Sequence, residues 1–101
     1  MQVIEKPAYN EEFRTCEFLR PDGQGQLNGS EIVSSAAVLC LDRSTGADMS
    51  AAMISTVAPY NSTQVRYKVI GGTAGKVYIL RVRGVTSNGQ KLEEPFELRI
   101  I

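Results

Sequence analysis

Gly71-Gly72-Thr73-Ala74-Gly75-Lys76-Val77-Tyr78-Ile79-Leu80-Arg81-Val82-Arg83 joins the densest turn signal in the chain to its clearest strand signal. Three glycines in five residues let the backbone take positive φ, where a residue with a Cβ would clash, so a sharp reversal is expected there. The run that follows alternates. Tyr78, Leu80 and Val82 fall on one face of a strand and Arg81 and Arg83 on the other, which predicts a buried side and a wet side. The ending Gly75-Lys76 invites comparison with a phosphate-binding loop, but that motif needs a glycine where Ile70 stands and Ser or Thr where Val77 stands. Such a loop also opens a helix, whereas this one opens a β-branched strand.

Upstream of the corner, Gln64 to Ile70 alternates equally cleanly, predicting Val65, Tyr67 and Val69 inside with Arg66 and Lys68 facing water. Downstream, Ser87-Asn88-Gly89-Gln90 predicts a hairpin whose Asn-Gly pair supplies a type I′ turn. Unbroken pairing from that turn would set Leu80 opposite Glu97 and Arg81 opposite Phe96, mixing core with surface. A one-residue bulge near Gly84 or Pro95 is therefore expected, bringing Phe96, Leu98 and Ile100 onto the face of Tyr78, Leu80 and Val82. Arg81, Arg83, Glu97 and Arg99 would then share the outer face and form the candidate protein-interaction surface. The plainer expectation for such a row is a solvated face with weak cross-strand ion pairs.

The first half of the chain is read from this frame. Residues 1–11 are expected to be an N-terminal arm or edge strand, limited by Pro7, and Phe13 to Leu19 the first full strand, with Cys16 and Phe18 inside. Turn residues crowd 21–26, and Asn28-Gly29-Ser30 marks another reversal. Glu31 to Leu41 carries no charge after its first residue, which denies a helix its wet face and predicts a central strand. Ile32, Ala36, Val38 and Cys40 are the expected core row, with Ser34 the odd member. Asp42 to Asp48 reads as a solvated loop, since its two aspartates fall short of the oxygens calcium requires. Ala51 to Ile54 suits a helical turn and Met53 to Val57 a short strand; the strand is the expectation, followed by a turn at Pro59-Tyr60-Asn61-Ser62.

Totals narrow the function classes. The chain has 101 residues, so one core and a single domain over residues 12–101 are expected. Eleven basic residues balance eleven acidic ones, which gives no long-range field for nucleic acid or an anionic membrane surface. Met1 to Lys6 lacks the basic start and apolar middle of a secretory signal, so synthesis and retention in the cytoplasm until assembly is the expectation. Without histidine, and with two separated cysteines, a zinc site falls short on ligands; two buried free thiols are expected, with a Cys16–Cys40 disulfide the alternative. No pair of acid–base residues is placed by a motif, so neither an enzyme nor a cofactor is expected.

A glycine corner, a tyrosine and an apolar residue two places later, here Leu80 where antibody domains carry cysteine, fit the penultimate strand of an immunoglobulin-like antiparallel β-sandwich of about seven strands. Asn28 to Ala36, Gly46-Ala47-Asp48, Gly71 to Tyr78 and Thr86-Ser87-Asn88-Gly89, taken in order, resemble small immunoglobulin-like structural proteins of tailed bacteriophages and prophages, some of them fiber-tail adaptors. Ser30, Cys16 and Cys40 depart from that group's pattern. The resemblance implies a non-enzymatic virion protein, made in the bacterial cytoplasm, that joins or decorates tail or neck components through contacts with other virion proteins or with further copies of itself. An adhesion or carbohydrate-binding module of a bacterial surface protein is the alternative, with Tyr9 and Tyr60 as candidate sugar-stacking residues.

Overall fold

The structure is a computed structural model that describes residues 2–18 and 31–101. The turns expected over 21–26 and at Asn28-Gly29-Ser30, and the last residue of the strand expected to end at Leu19, lie outside the described residues. Seven strands are found among the described residues: β1 (Gln2–Lys6), β2 (Glu12–Glu17), β3 (Val33–Asp42), β4 (Ile54–Tyr60), β5 (Gln64–Val69), β6 (Val77–Thr86) and β7 (Lys91–Ile100), with one helical turn, α1 (Ser50–Met53), before β4. They make an all-β sandwich of a four-stranded sheet, ordered β1-β7-β6-β3, and a three-stranded sheet, ordered β2-β5-β4. Pairing is antiparallel except between β1 and β7, which run parallel from Gln2↔Phe96 to Lys6↔Ile100. The exception follows from connectivity: β1 lies at the edge of one sheet and the chain then crosses to the other, where β2 pairs with β5, so β1 and β7 are not joined as a hairpin.

Alternation fills the space between the sheets. Tyr78, Leu80 and Val82 from β6, Phe96, Leu98 and Ile100 from β7, and Val65, Tyr67 and Val69 from β5 are all buried, together with Cys16, Phe18, Val38, Cys40 and Met53. The glycine corner carries the chain from β5 to β6 with Gly71, Gly72 and Gly75 at φ of 63°, 94° and 86°. Inside it the Thr73 amide donates to Tyr78 Oη at 3.2 Å, so the buried phenol reaches back five residues to the corner. A Cβ on Gly72 would stand 2.8 Å from Ile100 Cγ1 and 3.1 Å from Met53 Cε, whereas one on Gly75 would meet nothing within 4 Å.

Several expectations are corrected. Ile32 is 45% exposed and Val33 is 3% exposed, the reverse of the expected parity. The cause is a bulge: Val33 pairs with Thr86 but Ser35 with Val85, so Ser34 is an extra residue, and its hydroxyl donates to the Val85 carbonyl at 2.9 Å. Beyond the bulge Val38 and Cys40 point inward as expected and Ala36 is half-buried. The β6–β7 turn is not type I′, because Asn88 is not among the residues at positive φ while Gly89 is at 84°. Gly89 N donates to Thr86 O at 2.9 Å and Thr86 N to Gln90 O at 2.8 Å, the three-residue loop in which a left-handed glycine follows the turn. The expected one-residue shift therefore sits in the turn itself, and the ladder runs without irregularity from Val85↔Lys91 to Val77↔Arg99, with Leu80 opposite Phe96.

The strand expected over Met53 to Val57 is found from Ile54 onward as the start of β4, while Met53 itself closes the helical turn Ser50–Met53. Asp48 Oδ1 accepts from Ser50 N at 2.9 Å, and Ser50 Oγ accepts from Cys40 N at 2.8 Å. This ties the turn to the free edge of β3 and drops Met53 into the core. Pro59 and Tyr60, expected in a turn, belong to β4, whose position at a sheet edge tolerates a residue without an N–H. The reversal falls on Asn61 and Ser62, both at positive φ. Carbonyls of that reversal hold both neighbouring strands, Thr63 O accepting from Phe18 N and Ser62 O from Val33 N at 2.7 Å. A second bulge lies in β4 between Ser55 and Ala58, and there Thr56 adopts a φ of 52°, a left-handed conformation disfavoured for a β-branched residue.

Gly72→Ala is expected to lower unfolding free energy by about 2 kcal/mol, from overpacking added to the left-handed penalty, and Gly75→Ala by about 1 kcal/mol from the conformational part alone. Urea melts of the two variants measure the difference, and equal losses would mean that the corner is not packed against Ile100 and Met53. At the β4 bulge, Thr56→Asn is expected to raise stability by about 1 kcal/mol, since asparagine tolerates the left-handed region; a loss in the same melts would contradict that conformation.

Candidate interaction faces

With Tyr78, Leu80 and Val82 inside, β6 turns Val77, Ile79, Arg81 and Arg83 outward, and β7 sets Arg99, Glu97, Pro95 and Glu93 opposite them in that order. The four candidate residues Arg81, Arg83, Glu97 and Arg99 therefore lie on one sheet face, but in two clusters. Glu93 holds the first, its Oε1 2.7 Å from Arg83 Nε and its Oε2 3.8 Å from Arg81 Nη1. Glu97 holds the second, Oε1 accepting from Arg43 at 2.7 Å and Oε2 from Arg99 at 2.8 Å. Neither Arg81 nor Arg83 pairs with Glu97. Periodicity alone could not supply Arg43 and Glu93, because the first comes from the loop after β3 and the second depends on where the hairpin shift falls. Small side chains at Ser35 and Ala37, beside Arg83, Val85 and Leu92, leave a shallow, mostly apolar depression of about 400 Å³ on this face.

The outer face of the three-stranded sheet carries a group that the alternation pattern did not identify. Phe13 in β2 and Tyr60 in β4 are 47% and 40% exposed, and the Arg66 guanidinium of β5 lies between them, 4.1 Å from the Phe13 ring centroid and 5.2 Å from that of Tyr60. Arg66 does face outward as expected, but half-buried between the rings instead of surrounded by water. Sheet order creates the cluster: β5 runs between β2 and β4, so Arg66 stands beside Thr15 and Ala58 and reaches both rings diagonally. The strand signals placed Phe13 and Arg66 correctly in strands; no local signal says that those strands are neighbours. Tyr9, the other tyrosine considered for sugar stacking, lies just before β2 at the end of the sheet where Glu12 pairs with Val69, whereas Tyr60 pairs with Gln64 at the opposite end.

Two cysteines, a tyrosine and a lysine are enclosed in the interior. Cys16 and Cys40 are buried, belong to different sheets and form no disulfide. Burial, with lesser contributions from Asp48 and Asp42, pushes the Cys40 thiol up to about 12. Burial likewise raises the Tyr67 phenol, with Cys16 adding to the shift and Arg14 opposing it. The Lys6 ammonium is enclosed by the carbonyls of Pro7, Ala8 and Asn10 at 2.8, 3.4 and 2.6 Å, and burial lowers its pKa against the pull of Glu12 and Glu11.

At the glycine corner the backbone is used internally: Lys76 N donates to Thr73 O, Gly75 N to Ile100 O and Thr73 N to the Tyr78 hydroxyl. Lys76 Nζ goes to Asp42 Oδ2 at 3.1 Å, and Asp42 Oδ1 accepts from both Ser44 N and Ser44 Oγ. No group of three or more His, Cys, Asp or Glu placed to hold a metal ion is found among the described residues. No protein-family model and no curated protein sequence matches the chain.

The Ser44 hydroxyl, the Lys76 ammonium and the Ser44 amide lower the Asp42 carboxyl from 3.8 to about 2. A depressed acid binds its proton less tightly folded than unfolded, so its stabilising contribution is complete above pH 3.8 and is lost as pH falls toward about 2. The native chain should therefore lose stability across that window more steeply than Asp42→Asn. Lys76→Met should keep part of the slope, because the Ser44 hydroxyl is the larger cause. Urea midpoints against pH for the three proteins test this, and parallel curves would remove Asp42 from the acid response.

Proposed function

We propose that this chain is a non-catalytic, immunoglobulin-like structural module of a tailed bacteriophage or prophage particle, joining or decorating tail or neck components through protein–protein contacts. The observation that carries the immunoglobulin-like part is strand order. Strands two, five and four form one sheet and three, six and seven the other, the B-E-D and C-F-G arrangement of that fold. The hydrogen bond from the Thr73 amide to the Tyr78 hydroxyl at the start of β6 adds the tyrosine-to-backbone link typical of its penultimate strand. The turn and core residues that resemble phage structural proteins support the particle assignment.

Protein contact, and not chemistry, is the role these groups support. A thiol raised to about 12 supplies no thiolate near neutral pH. An ammonium closed in by three carbonyls has no free path to a substrate. Both sheets, by contrast, present ordered side-chain clusters outward, and a small sandwich with two such faces can bridge two neighbours.

Particles purified on a density gradient from an induced culture of the encoding strain are expected to contain this chain in fixed ratio to the tail or neck proteins. Quantitative mass spectrometry of the banded particles reads that ratio. Recovery of the chain only in the soluble lysate or on the cell surface, or a saturable response on a glycan array, would replace the proposed role with the adhesion or carbohydrate-binding alternative.

A further inference from the structure

Six arginines lie among the described residues, and five of them stand within ion-pair distance of a carboxylate. Arg66 has the Phe13 and Tyr60 rings instead, and its guanidinium makes no hydrogen bond to a described residue. Rings at 4.1 and 5.2 Å hold a guanidinium by cation–π attraction without accepting from its N–H groups, which stay available for a planar, two-oxygen acceptor. Its direct cross-strand neighbours, Thr15 and Ala58, are small and leave room for an approaching group. The composition of the patch, Phe, Tyr and Arg over a rigid sheet, is that of the residues that dominate protein–protein interfaces.

Charge around the patch narrows the ligand. Glu11 is paired with Lys68 at 3.4 Å at one end, and Glu17 accepts from Gln64 at the other, so both ends of the patch are already occupied by side chains of this chain and the room for an incoming acidic group is beside Arg66. Net charge is zero, which adds no long-range attraction for nucleic acid. A single carboxylate fits beside Arg66, and the exposed parts of Phe13 and Tyr60 call for apolar cover beside it. Among the described residues three acids stand between apolar neighbours: Glu97 already holds Arg43 and Arg99 and its neighbours are buried, Glu17 lies on β2 itself with Cys16 and Phe18 buried, and Asp48 accepts from the Ser50 amide at the start of α1. The complementary segment must therefore come from another protein.

Resting on the proposed role as a protein-contact module, we infer that the outer face of the β2-β5-β4 sheet docks a segment of a different protein. That segment presents one Asp or Glu between apolar residues, its carboxylate taking paired N–H bonds from Arg66 and its neighbours covering Phe13 and Tyr60. This face is distinct from the row of Arg81, Arg83, Glu97 and Arg99, whose guanidinium groups are already matched to carboxylates.

The ¹⁵N-labelled full chain titrated with acetyl-Ala-Leu-Glu-Leu-Ala-amide, and separately with the same peptide carrying Gln for Glu, tests the inference. The Arg66 Nε–Hε signal is expected to move saturably with the Glu peptide, with the Gln peptide weaker by about tenfold or more. Read in the variants at the backbone amides of Phe13, Thr15 and Ala58, Arg66→Gln should abolish the saturable shift, and Arg66→Lys should weaken it by about tenfold, because lysine cannot form the planar paired contact. Phe13→Leu keeps the sheet face apolar while removing the ring, and is expected to weaken binding even if Arg66→Gln fails to fold. Equal response to both peptides, movement centred on Arg83 or Arg99, no movement at Arg66, or an equal response to inorganic phosphate or maltoheptaose would overturn the inference. So would concentration-dependent self-association, read by light scattering, that Arg66→Gln removes, since the occupant would then be a second copy. Presence of the chain in purified particles is read independently, so a silent Arg66 would sink this face without touching the particle assignment.

Discussion

Gly72 sits where α1, β7 and the turn between the sheets converge, and the absence of a side chain there is the constraint on which the rest of the sandwich depends. Ile100 and Met53 occupy the space that its Cβ would need. Around the same point Ile70 N donates to Met53 O, Gly75 N to Ile100 O and Ile100 N to Lys76 O, so the corner is stitched to both elements by backbone as well as by packing. Because this is the crossing from β5 to β6, it fixes how the three-stranded sheet lies over the four-stranded one. The Tyr78 hydroxyl then accepts from Thr73 on the inner side of the turn, which orients the ring in the core and sets the parity of β6. Once that parity is set, Leu80 and Val82 must point in and Arg81 and Arg83 must point out.

What could be read from the residues follows the same logic. Strands β5, β6 and β7 were legible because their alternation is unbroken and glycines mark their ends. The N-terminal part of β3 was not, since a single extra residue at Ser34 exchanges the roles of Ile32 and Val33 while leaving composition unchanged. At the last hairpin the mismatch between core and surface required a one-residue shift, and one exists. Its place was not legible, because Asn-Gly serves either as the centre of a type I′ turn or with its glycine left-handed after the turn. Four residues of helix are too short for a 3.6-residue period to show, so Ser50–Met53 could not be told from a strand start. The Arg66 cluster was hidden for a different reason: it is built across three strands whose adjacency is a property of topology, not of any local window.

The two outer faces illustrate different uses of arginine. On the four-stranded sheet Glu93 and Glu97 each sit between two guanidinium groups, so most of the field is spent within the chain, and exposed pairs of this kind contribute little to stability. On the three-stranded sheet the guanidinium of Arg66 is ordered by ring faces instead of by an anion. Ordering by rings holds the cation in place without neutralising it, which lowers the entropy a partner must remove and leaves the charge available. A chain with no net charge has little long-range steering, so in the proposed role discrimination between partners would rest on short-range complementarity of this sort.

Lys6 shows how the parallel strand at the edge is kept in register. It faces inward opposite Ile100, a position where an aliphatic side chain would be ordinary and a buried ammonium is costly. Three carbonyls of the turn after β1 offset that cost by accepting from its Nζ, and in doing so they fix the turn that carries the chain to β2. Asn10 extends the link, donating to Glu12, which in turn accepts from Arg14, whose guanidinium also donates to Glu5 O on β1. Slippage of β1 by one residue would turn the ammonium outward and leave those three carbonyls without it, so one alignment is favoured over its neighbours. The short edge strand is thus positioned less by apolar burial, for Val3 is exposed, than by a polar latch at its C-terminal end, and the last residue of the chain closes onto it through Ile101 N donating to Lys6 O.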